Sequence, residues 1–313
     1  MKTLRVVFIG QNSKFSIVPL KAVASSHNVV GIVESEPRVS AKQTTWKKHS
    51  KQILEKLLKI NRLRNYAISN RIPYYLLTKN GHDGLLAFLE RLAPDVICVA
   101  SMSQLLKKQA FQITKYGAIN FHPALLPNYR GPNPWFWQYY QVEKEGGVTI
   151  HFIDEGEDTG DIIKQSKYPI ELGTPLNQLM DKAISLGAAL MVEALDEIAN
   201  GAFKAIPQRY LPCPVRARNV SPDEKLIDWE HWPIERVWHV LRGTQSWLQA
   251  LPQPCILSWL TDWKIGQFEL NQMDLIPGKI YIDTKGLYVA HRQGKIRVSL
   301  TFSPKKLIRL VLL

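Results

Sequence analysis

The chain has 313 residues, of which 45% are hydrophobic and 21% charged, and this composition excludes a disordered or fibrous protein. Its formal net charge of +13 attracts polyanions such as RNA and nucleotide phosphates, without choosing among them. Three widely separated cysteines, with no CxxC pair, favour a reducing compartment over a disulfide framework or a zinc site. They are Cys98, Cys213 and Cys255.

No segment of the sequence is suited to enter or cross a membrane. The apolar run Val6–Ile9 ends at Gly10 and is too short for the hydrophobic region of a signal peptide. No later stretch reaches the roughly 18–20 apolar residues that span a bilayer. We therefore expect a cytoplasmic protein without a membrane partner, whose oligomeric state does not follow from the sequence.

The first part of the chain alternates between strands and helices. Each predicted strand is nearly continuous in apolar residues, as parallel strands buried on both faces tend to be. In chain order, the predicted elements are a strand over Leu4–Ile9, a turn over Gly10–Ser13, a helix over Ile17–Ala24, a strand over Asn28–Val33, a helix over Leu85–Arg91 and a strand over Asp95–Ala100. This alternation predicts an α/β fold with a Rossmann-like, mostly parallel sheet.

A strongly basic segment, Arg38 to Arg71, separates the second of these strands from the helix before the third. Between Arg38 and Arg64 it contains many lysines and arginines against a single acid, Glu55, and its leucines and isoleucines recur at roughly helical spacing. Two interpretations stay open: an amphipathic helix with a solvated basic face, or an arm that binds a polyanion.

The composition changes after about residue 205, where four prolines indicate a linker. Beyond it, a helix is predicted to begin at Trp232–Pro233 and to end at Gly243, which suits a C-cap. Three short alternating runs then predict a small β-barrel-like, OB-like domain. They are Lys279–Ile282, Gly286–Ala290 and Lys295–Leu300. We expect a catalytic domain over residues 1–205, followed by a linker and the small domain over residues 206–313.

Two polar side chains interrupt the apolar strand before Pro123. Because side chains alternate between the faces of a strand, Asn120 and His122 must point the same way. A lone histidine in a strand is more often a core residue whose hydrogen bonds are satisfied than a functional residue. An Asn-x-His pair just before a turn favours a site.

An acidic loop follows the strand Gly147–Ile153. It holds four acids and two glycines between Asp154 and Asp161, but their spacing does not match a calcium-binding EF-hand loop, and we expect no metal. A carboxylate on such a glycine-flanked loop can instead reach a histidine and fix its orientation and charge.

These blocks carry a family resemblance. Asn120 to Gly131 reads NFHPALLPNYRG, Gly147–Ile150 reads GVTI, and Asp158–Asp161 reads DTGD. In this order and spacing they resemble the signature of the folate-dependent formyltransferases, and the whole-chain layout is similar to that of the methionyl-tRNA formyltransferases. The resemblance implies that 10-formyltetrahydrofolate gives a formyl group to an amine.

The resemblance also implies the roles of the site residues. Asn120 is expected to stabilise the oxyanion of the tetrahedral intermediate, and His122 to take the amine's proton or add a hydrogen bond. Asp158 is expected to orient His122 and tune its pKa, or to pass the proton to the leaving nitrogen. The folate is expected to contact two segments, largely through backbone groups. Their candidate residues are Ser101, Met102, Gln104, Leu105, Asp154 and Gly156.

Departures from the family pattern leave the acceptor open. Methionyl-tRNA formyltransferases usually have serine at Ala124 and small residues at Pro132–Asn133, and the basic segment replaces their glycine-rich loop. The acceptor is expected to be initiator tRNA or, as the alternative, a nucleotide-linked aminosugar. The shorter glycinamide ribonucleotide transformylases do not account for the C-terminal third. Arg130 is expected to fix its loop rather than to meet a ligand.

Two unrelated classes of function are weaker. A nicotinamide-dependent dehydrogenase would need GxGxxG after the first strand, where this chain has Gly10 followed by Gln11 and Asn12. A non-catalytic nucleic-acid-binding protein would explain the charge but would leave the Asn-His-Asp set without a purpose.

Overall fold

In a computed structural model of the protein, the structure describes residues 2–37, 62–208, 215–253, 260–272 and 274–303. The chain divides into two compact units, each built from several stretches of sequence. The first unit comprises Met1–Pro134, Glu145–Tyr168 and Met180–Arg216. The second comprises Trp135–Lys144, Pro169–Leu179 and Ala217–Leu313. The expected division at residue 205 stays a prediction.

A seven-stranded sheet forms the centre of the first unit, in the order β3-β2-β1-β4-β5-β6-β7. Pairing is parallel from β3 through β5, whereas β6 runs antiparallel to β5. The strands are β1 (Arg5–Gly10), β2 (Asn28–Ser35), β3 (Tyr74–Leu77), β4 (Val96–Ala100), β5 (Ala118–His122), β6 (Glu145–Phe152) and β7 (Ile162–Pro169). The predicted Rossmann-like, mostly parallel sheet is confirmed.

Within the described ranges, five helices lie between these strands in the chain, and a sixth follows β7. They are α1 (Lys14–Ser26), α2 (Arg62–Ser69), α3 (His82–Leu92), α4 (Lys108–Gln112), α5 (Pro134–Tyr140) and α6 (Leu176–Asn200). The predicted helices at Ile17–Ala24 and Leu85–Arg91 lie inside α1 and α3. Most of the basic segment from Arg38 to Arg71 lies outside the described residues, so its two interpretations stay predictions; α2 is its described helix.

Buried apolar side chains explain why β1 and β4 lie in the middle of the sheet. Val6 through Ile9 and Val96 through Ala100 are at most 3% exposed, as expected for strands covered on both faces. The sheet order reverses direction between β1 and β4, and a crevice at the carboxyl ends of the strands is the usual place for a ligand in such sheets.

The edge strand β3 was not predicted from the sequence. It has four residues, and only Leu77 among them is fully buried, so the pattern that marks the central strands is missing. The strand predicted as the third in the chain is therefore the fourth.

In the second unit, four strands form an antiparallel sheet in the order β8-β11-β10-β9. They are β8 (Thr261–Leu270), β9 (Ile280–Asp283), β10 (Gly286–His291) and β11 (Gly294–Phe302). The small β domain and its three predicted runs are confirmed. Strand β8 was missed because an irregularity in its pairing with β11 breaks the alternation of buried and exposed residues.

Helix α7 (Ile234–Thr244) precedes this sheet, and its sequence signals act differently from the prediction. Pro233 is the N-cap rather than the first helical residue. Gly243 lies inside the last turn rather than at the C-cap, and a Cβ there would meet the ring of Tyr139 at 1.9 Å. The glycine therefore permits close packing of α5 on α7. Among the described residues, no helix is both long and apolar enough to cross a bilayer.

Candidate active site

Strand pairing brings the polar residues of the site together in the first unit. Asn120 of β5 pairs with Val99 of β4 on one side and with His151 of β6 on the other. Asn120 and His122 lie two residues apart on β5, so their side chains leave the same face of the sheet. His122 is 4% exposed and His151 is 2% exposed.

The loop between β6 and β7 returns Asp158 to this face. Its Oδ2 lies 3.5 Å from Nδ1 of His122 and accepts a 2.9 Å hydrogen bond from the backbone N–H of Gly131. Its Oδ1 accepts a 3.4 Å hydrogen bond from the amide of Asn120. The structure thus brings the three predicted catalytic side chains to one place.

The hydrogen bonds of His122 distinguish its two ring nitrogens. Nε2 lies 2.9 Å from the carbonyl oxygen of Tyr129, which can only accept, so the proton of the neutral ring sits on Nε2. Nδ1 then carries the free lone pair and faces Asp158. A proton gained by this side chain must therefore go to Nδ1, beside a carboxylate that stabilises the resulting cation.

A second histidine belongs to the site and was missed from the sequence. Nδ1 of His151 donates to the carbonyl oxygen of Phe152 at 2.7 Å, which leaves Nε2 to accept from the amide of Asn120 at 3.1 Å. The same Nε2 lies 3.6 Å from Oδ1 of Asp158. The signal that points to His151 is its position opposite Asn120 on the neighbouring strand. The sequence alone does not give the β5–β6 register on which this position depends.

Burial and charge act in opposite directions on the ionisable groups. Burial lowers the pKa of His122 and outweighs the attraction of Asp158, which raises it. Burial raises the pKa of Asp158, but the nearby His122, the contact with His151 and the N–H of Gly131 together hold it below the ordinary carboxyl value. At neutral pH the site therefore contains an ionised Asp158 beside a neutral His122.

The predicted folate-contacting residues lie on two loops that follow β4 and β6. Lys108, at the start of α4, forms an ion pair with Glu155 and so ties one loop region to the other. Met102 and Ile153, one from each loop, pack on the same hydrophobic cluster. The two loops therefore lie close together.

The individual side chains of these loops differ in their surroundings. Ser101 has a left-handed backbone, with φ of 70°, and donates to Oε1 of Gln11 after β1. Gln104 reaches the carbonyl oxygen of Thr78 at 3.4 Å, and Leu105 is 60% exposed. Asp154 accepts hydrogen bonds from the backbone N–H of Gly156 and from the hydroxyl of Thr159, so it shapes its own loop.

One of the three cysteines lies within the described residues. Cys98 is free and buried in β4, and burial raises the pKa of its thiol. Cys213 and Cys255 lie outside the described residues. Over the parts of the chain that the structure describes, no group of three or more His, Cys, Asp or Glu side chains is arranged to hold a metal ion.

With this geometry established, comparison with known proteins decides the family. The model of the formyl transferase family matches residues 4–195, which include every residue of the site described above. The chain belongs to the formyl transferase family.

Whole-chain relatives of this formyltransferase share its length. The methionyl-tRNA formyltransferase of Pelotomaculum thermopropionicum is 31% identical over 95% of this chain and 90% of its own. That of Clostridium acetobutylicum is 28% identical over 97% of this chain and 93% of its own.

Solved structures share the fold at lower identity. The N-formyltransferase of Helicobacter canadensis, solved with folinic acid and dTDP-3-aminofucose, is 18% identical with a TM-score of 0.61, over 96% of this chain and 100% of its own. HypX of Aquifex aeolicus, solved with tetrahydrofolic acid, is 16% identical with a TM-score of 0.60, over 96% of this chain and 45% of its own. At these identities the likeness concerns the fold.

Proposed function

We propose that the protein transfers the formyl group of 10-formyltetrahydrofolate to a primary amine, and that this amine belongs to the methionine carried by initiator tRNA. The observation that carries the reaction is the meeting of Asn120, His122 and Asp158 on one face of the sheet. The acceptor is inferred from the whole-chain relatives, each a methionyl-tRNA formyltransferase of similar length.

Bond formation begins when the amine nitrogen attacks the formyl carbon and the carbonyl electron pair moves to oxygen. The lone pair on Nδ1 of His122 takes the proton that the attacking nitrogen must lose. The imidazolium formed in this way lies 3.5 Å from the carboxylate of Asp158, which stabilises it in a site shielded from water.

The formyl oxygen carries the negative charge of the tetrahedral intermediate. Asn120 is the donor for this oxygen, and its two amide hydrogens face His151 and Asp158 in the resting site. The contact with Asp158 is the longer at 3.4 Å, so the hydrogen on that side is the one more readily shared with the oxyanion. His151, held by the Phe152 carbonyl, keeps the amide oriented during this change.

Collapse of the intermediate breaks the bond between the formyl carbon and N10 of the folate. N10 leaves with the bonding pair and takes up a proton, which His122 can return from Nδ1. The products are tetrahydrofolate and the N-formylated acceptor, and His122 is neutral again.

We further propose that the folate lies along the two loops after β4 and β6. The predicted contacts are those of Ser101, Met102, Gln104, Leu105, Asp154 and Gly156. The positive-φ backbone of Ser101 and the turn at Asp154 leave peptide groups at the strand ends, which suits a ligand rich in donors and acceptors.

A nucleotide-linked aminosugar is the alternative acceptor. The chain departs from the pattern of methionyl-tRNA formyltransferases at Ala124 and at Pro132–Asn133, shortly after His122. Both acceptors present a primary amine, so the same catalytic residues serve either one.

The deciding experiment incubates the protein with 10-formyltetrahydrofolate and, in separate reactions, charged initiator tRNA, uncharged initiator tRNA and a panel of nucleotide-linked aminosugars. Release of tetrahydrofolate and formylation of the acceptor are measured together. We expect transfer with charged tRNA and none with uncharged tRNA, which carries no methionyl amine.

Transfer to an aminosugar but not to charged tRNA contradicts the proposed acceptor and leaves the chemistry intact. Absence of transfer to every acceptor contradicts the chemistry as well. A salt titration provides a second criterion, because each phosphate contact to single-stranded or duplex nucleic acid adds about 0.7–0.9 to the slope of log K against log salt. A small nucleotide sugar makes few such contacts, so its slope should be shallow.

A further inference from the structure

The amide of Gln208 holds the backbone of the loop that carries Asp158. Its Nε2 donates to the carbonyl oxygen of Asp158 at 2.9 Å and to that of Gly160 at 2.7 Å. Gln208 lies in the segment predicted to be a linker, outside the region matched by the family model. The two carbonyl groups that it binds nevertheless lie in the loop that carries Asp158.

Arg130 holds the other end of the same amide. Its Nε and Nη2 donate to Oε1 of Gln208 at 3.0 and 2.6 Å. Backbone carbonyl groups can only accept and a guanidinium can only donate, so the orientation of the amide is fixed by its partners. Arg130 therefore acts on the loop through Gln208 rather than by bonding its carbonyl groups directly.

The segment around Gln208 is itself anchored to the first unit. Ile206 exchanges two backbone hydrogen bonds of 2.8 Å with Ile162 at the start of β7. Farther along, the carbonyl oxygen of Val215 accepts from the backbone N–H of Tyr129 at 2.7 Å, and Arg216 forms an ion pair with Glu157. Gln208 thus acts from a fixed position.

The supported residue has an unfavourable backbone conformation. Asp158 has φ of 54°, in the left-handed region that non-glycine residues rarely adopt. Such a conformation persists when surrounding contacts hold it, and here it aims the carboxylate at His122 and at the N–H of Gly131. Loss of these contacts would free the peptide to turn the carboxylate away.

We propose that Arg130 and Gln208 are positioning residues that keep the carboxylate of Asp158 beside Nδ1 of His122. This inference rests on the proposed function for its effect on turnover, but its effect on His122 can be measured without any reaction. A carboxylate at that place raises the pKa of His122. Weakening the contacts of these two residues, the Arg130–Gln208 clamp, must therefore lower the pKa of His122.

The test uses Gln208→Met, which keeps the length of the side chain but removes both its donor and its acceptor. Arg130→Lys is the conservative variant, since it keeps the charge and loses the paired donation to Oε1. Gln165→Met is the matched control. Gln165 also donates twice through Nε2, to the carbonyl oxygen of Leu126 and the hydroxyl of Thr149, but has no hydrogen bond to Asp158.

Two measurements are made on each variant: the pKa of the His122 imidazole by NMR titration of the substrate-free protein, and kcat and KM for formyl transfer. We expect Gln208→Met to lower the pKa of His122 and to reduce kcat by about tenfold or more, with KM nearly unchanged, because small misplacements of catalytic groups are costly. Arg130→Lys should show a smaller change in the same direction, and Gln165→Met should leave the pKa of His122 unchanged.

An unchanged pKa of His122 in both Gln208→Met and Arg130→Lys overturns the clamp, whatever the activity. An equal fall in Gln165→Met also overturns it, because the effect would then be a general loss of stability. If Gln208→Met does not fold, the Arg130→Lys titration decides by the same criterion. A lowered pKa in a protein that transfers no formyl group supports the clamp and contradicts the proposed function instead.

Discussion

Replacing Asp158 by asparagine removes a negative charge from the side of His122 while keeping the shape of the side chain. The asparagine oxygen can take the place of Oδ2 and still accept from the N–H of Gly131. The fold should therefore be retained. The substitution isolates the effect of the charge on His122.

The structure sets the size of this effect. Oδ2 of Asp158 lies 3.5 Å from Nδ1 of His122. At an effective dielectric constant of ~20, opposite unit charges at this separation attract by about 5 kcal/mol. About 1.4 kcal/mol corresponds to one pH unit, so the pKa of His122 can fall by about three and a half pH units at most. Local relaxation reduces this limit, and we expect a fall of roughly one to two pH units.

The assay is the pH dependence of kcat and kcat/KM for formyl transfer, combined with the NMR titration of His122. A histidine that acts as a base must be neutral, so activity is lost on the acid side as the ring becomes protonated. In Asp158→Asn this acid limb should move to lower pH. The rate on the plateau should fall by about 10²–10⁴-fold, because a weaker base with an unstabilised cation takes up the proton. An acid limb that stays in place or moves to higher pH would refute the electrostatic role of Asp158.

Other substitutions test the remaining groups. Asn120→Ala should lower kcat by about 10²–10³-fold with an unchanged melting temperature, because one oxyanion donor is lost. His122→Ala should lower kcat by at least about 10²-fold, because the base is lost. Near-normal turnover in either variant would contradict the role of the residue replaced. Gly187→Ala should destabilise the protein by about 1–3 kcal/mol in thermal unfolding, because the new Cβ would lie 2.2 Å from the buried ring of Phe121. Ser185 is exposed on the same helix, so the control variant Ser185→Ala should unfold at nearly the wild-type temperature. The depressed pKa of Asp158 contributes stability above the ordinary carboxyl pKa of about 3.9, and that contribution is lost as pH falls. The stability difference between wild type and Asp158→Asn should therefore shrink on acidification below about pH 4; a constant difference would argue against this linkage.

The central strands and the pair of Asn120 and His122 could be predicted from the sequence because each has a local signal, whereas Asp158 was singled out from the acidic loop by the family resemblance. Val6 through Ile9 and Val96 through Ala100 are continuous apolar runs, which are typical of doubly buried strands. The spacing of Asn120 and His122 places both side chains on one face wherever the strand lies.

Other parts of the site depend on contacts between residues distant in sequence. His151 becomes part of the site through the pairing of β5 with β6, which its own strand pattern does not reveal. Gln208 lies in a proline-rich stretch that is typical of a linker, and its bonds to the Asp158 loop appear only in the folded chain. Strands β3 and β8 were missed because one is mostly exposed and the other has an irregular register.

The meeting of three side chains around one formyl carbon is tested most directly by a crystal structure of the protein with a non-transferable formyl donor and an amine acceptor. The measured quantity is the distance from the formyl oxygen to Nδ2 of Asn120. We expect a hydrogen bond of about 2.7–3.2 Å, with the acceptor nitrogen within reach of Nδ1 of His122. A formyl carbon bound beyond the reach of Asn120, His122 and Asp158 would contradict the proposed mechanism.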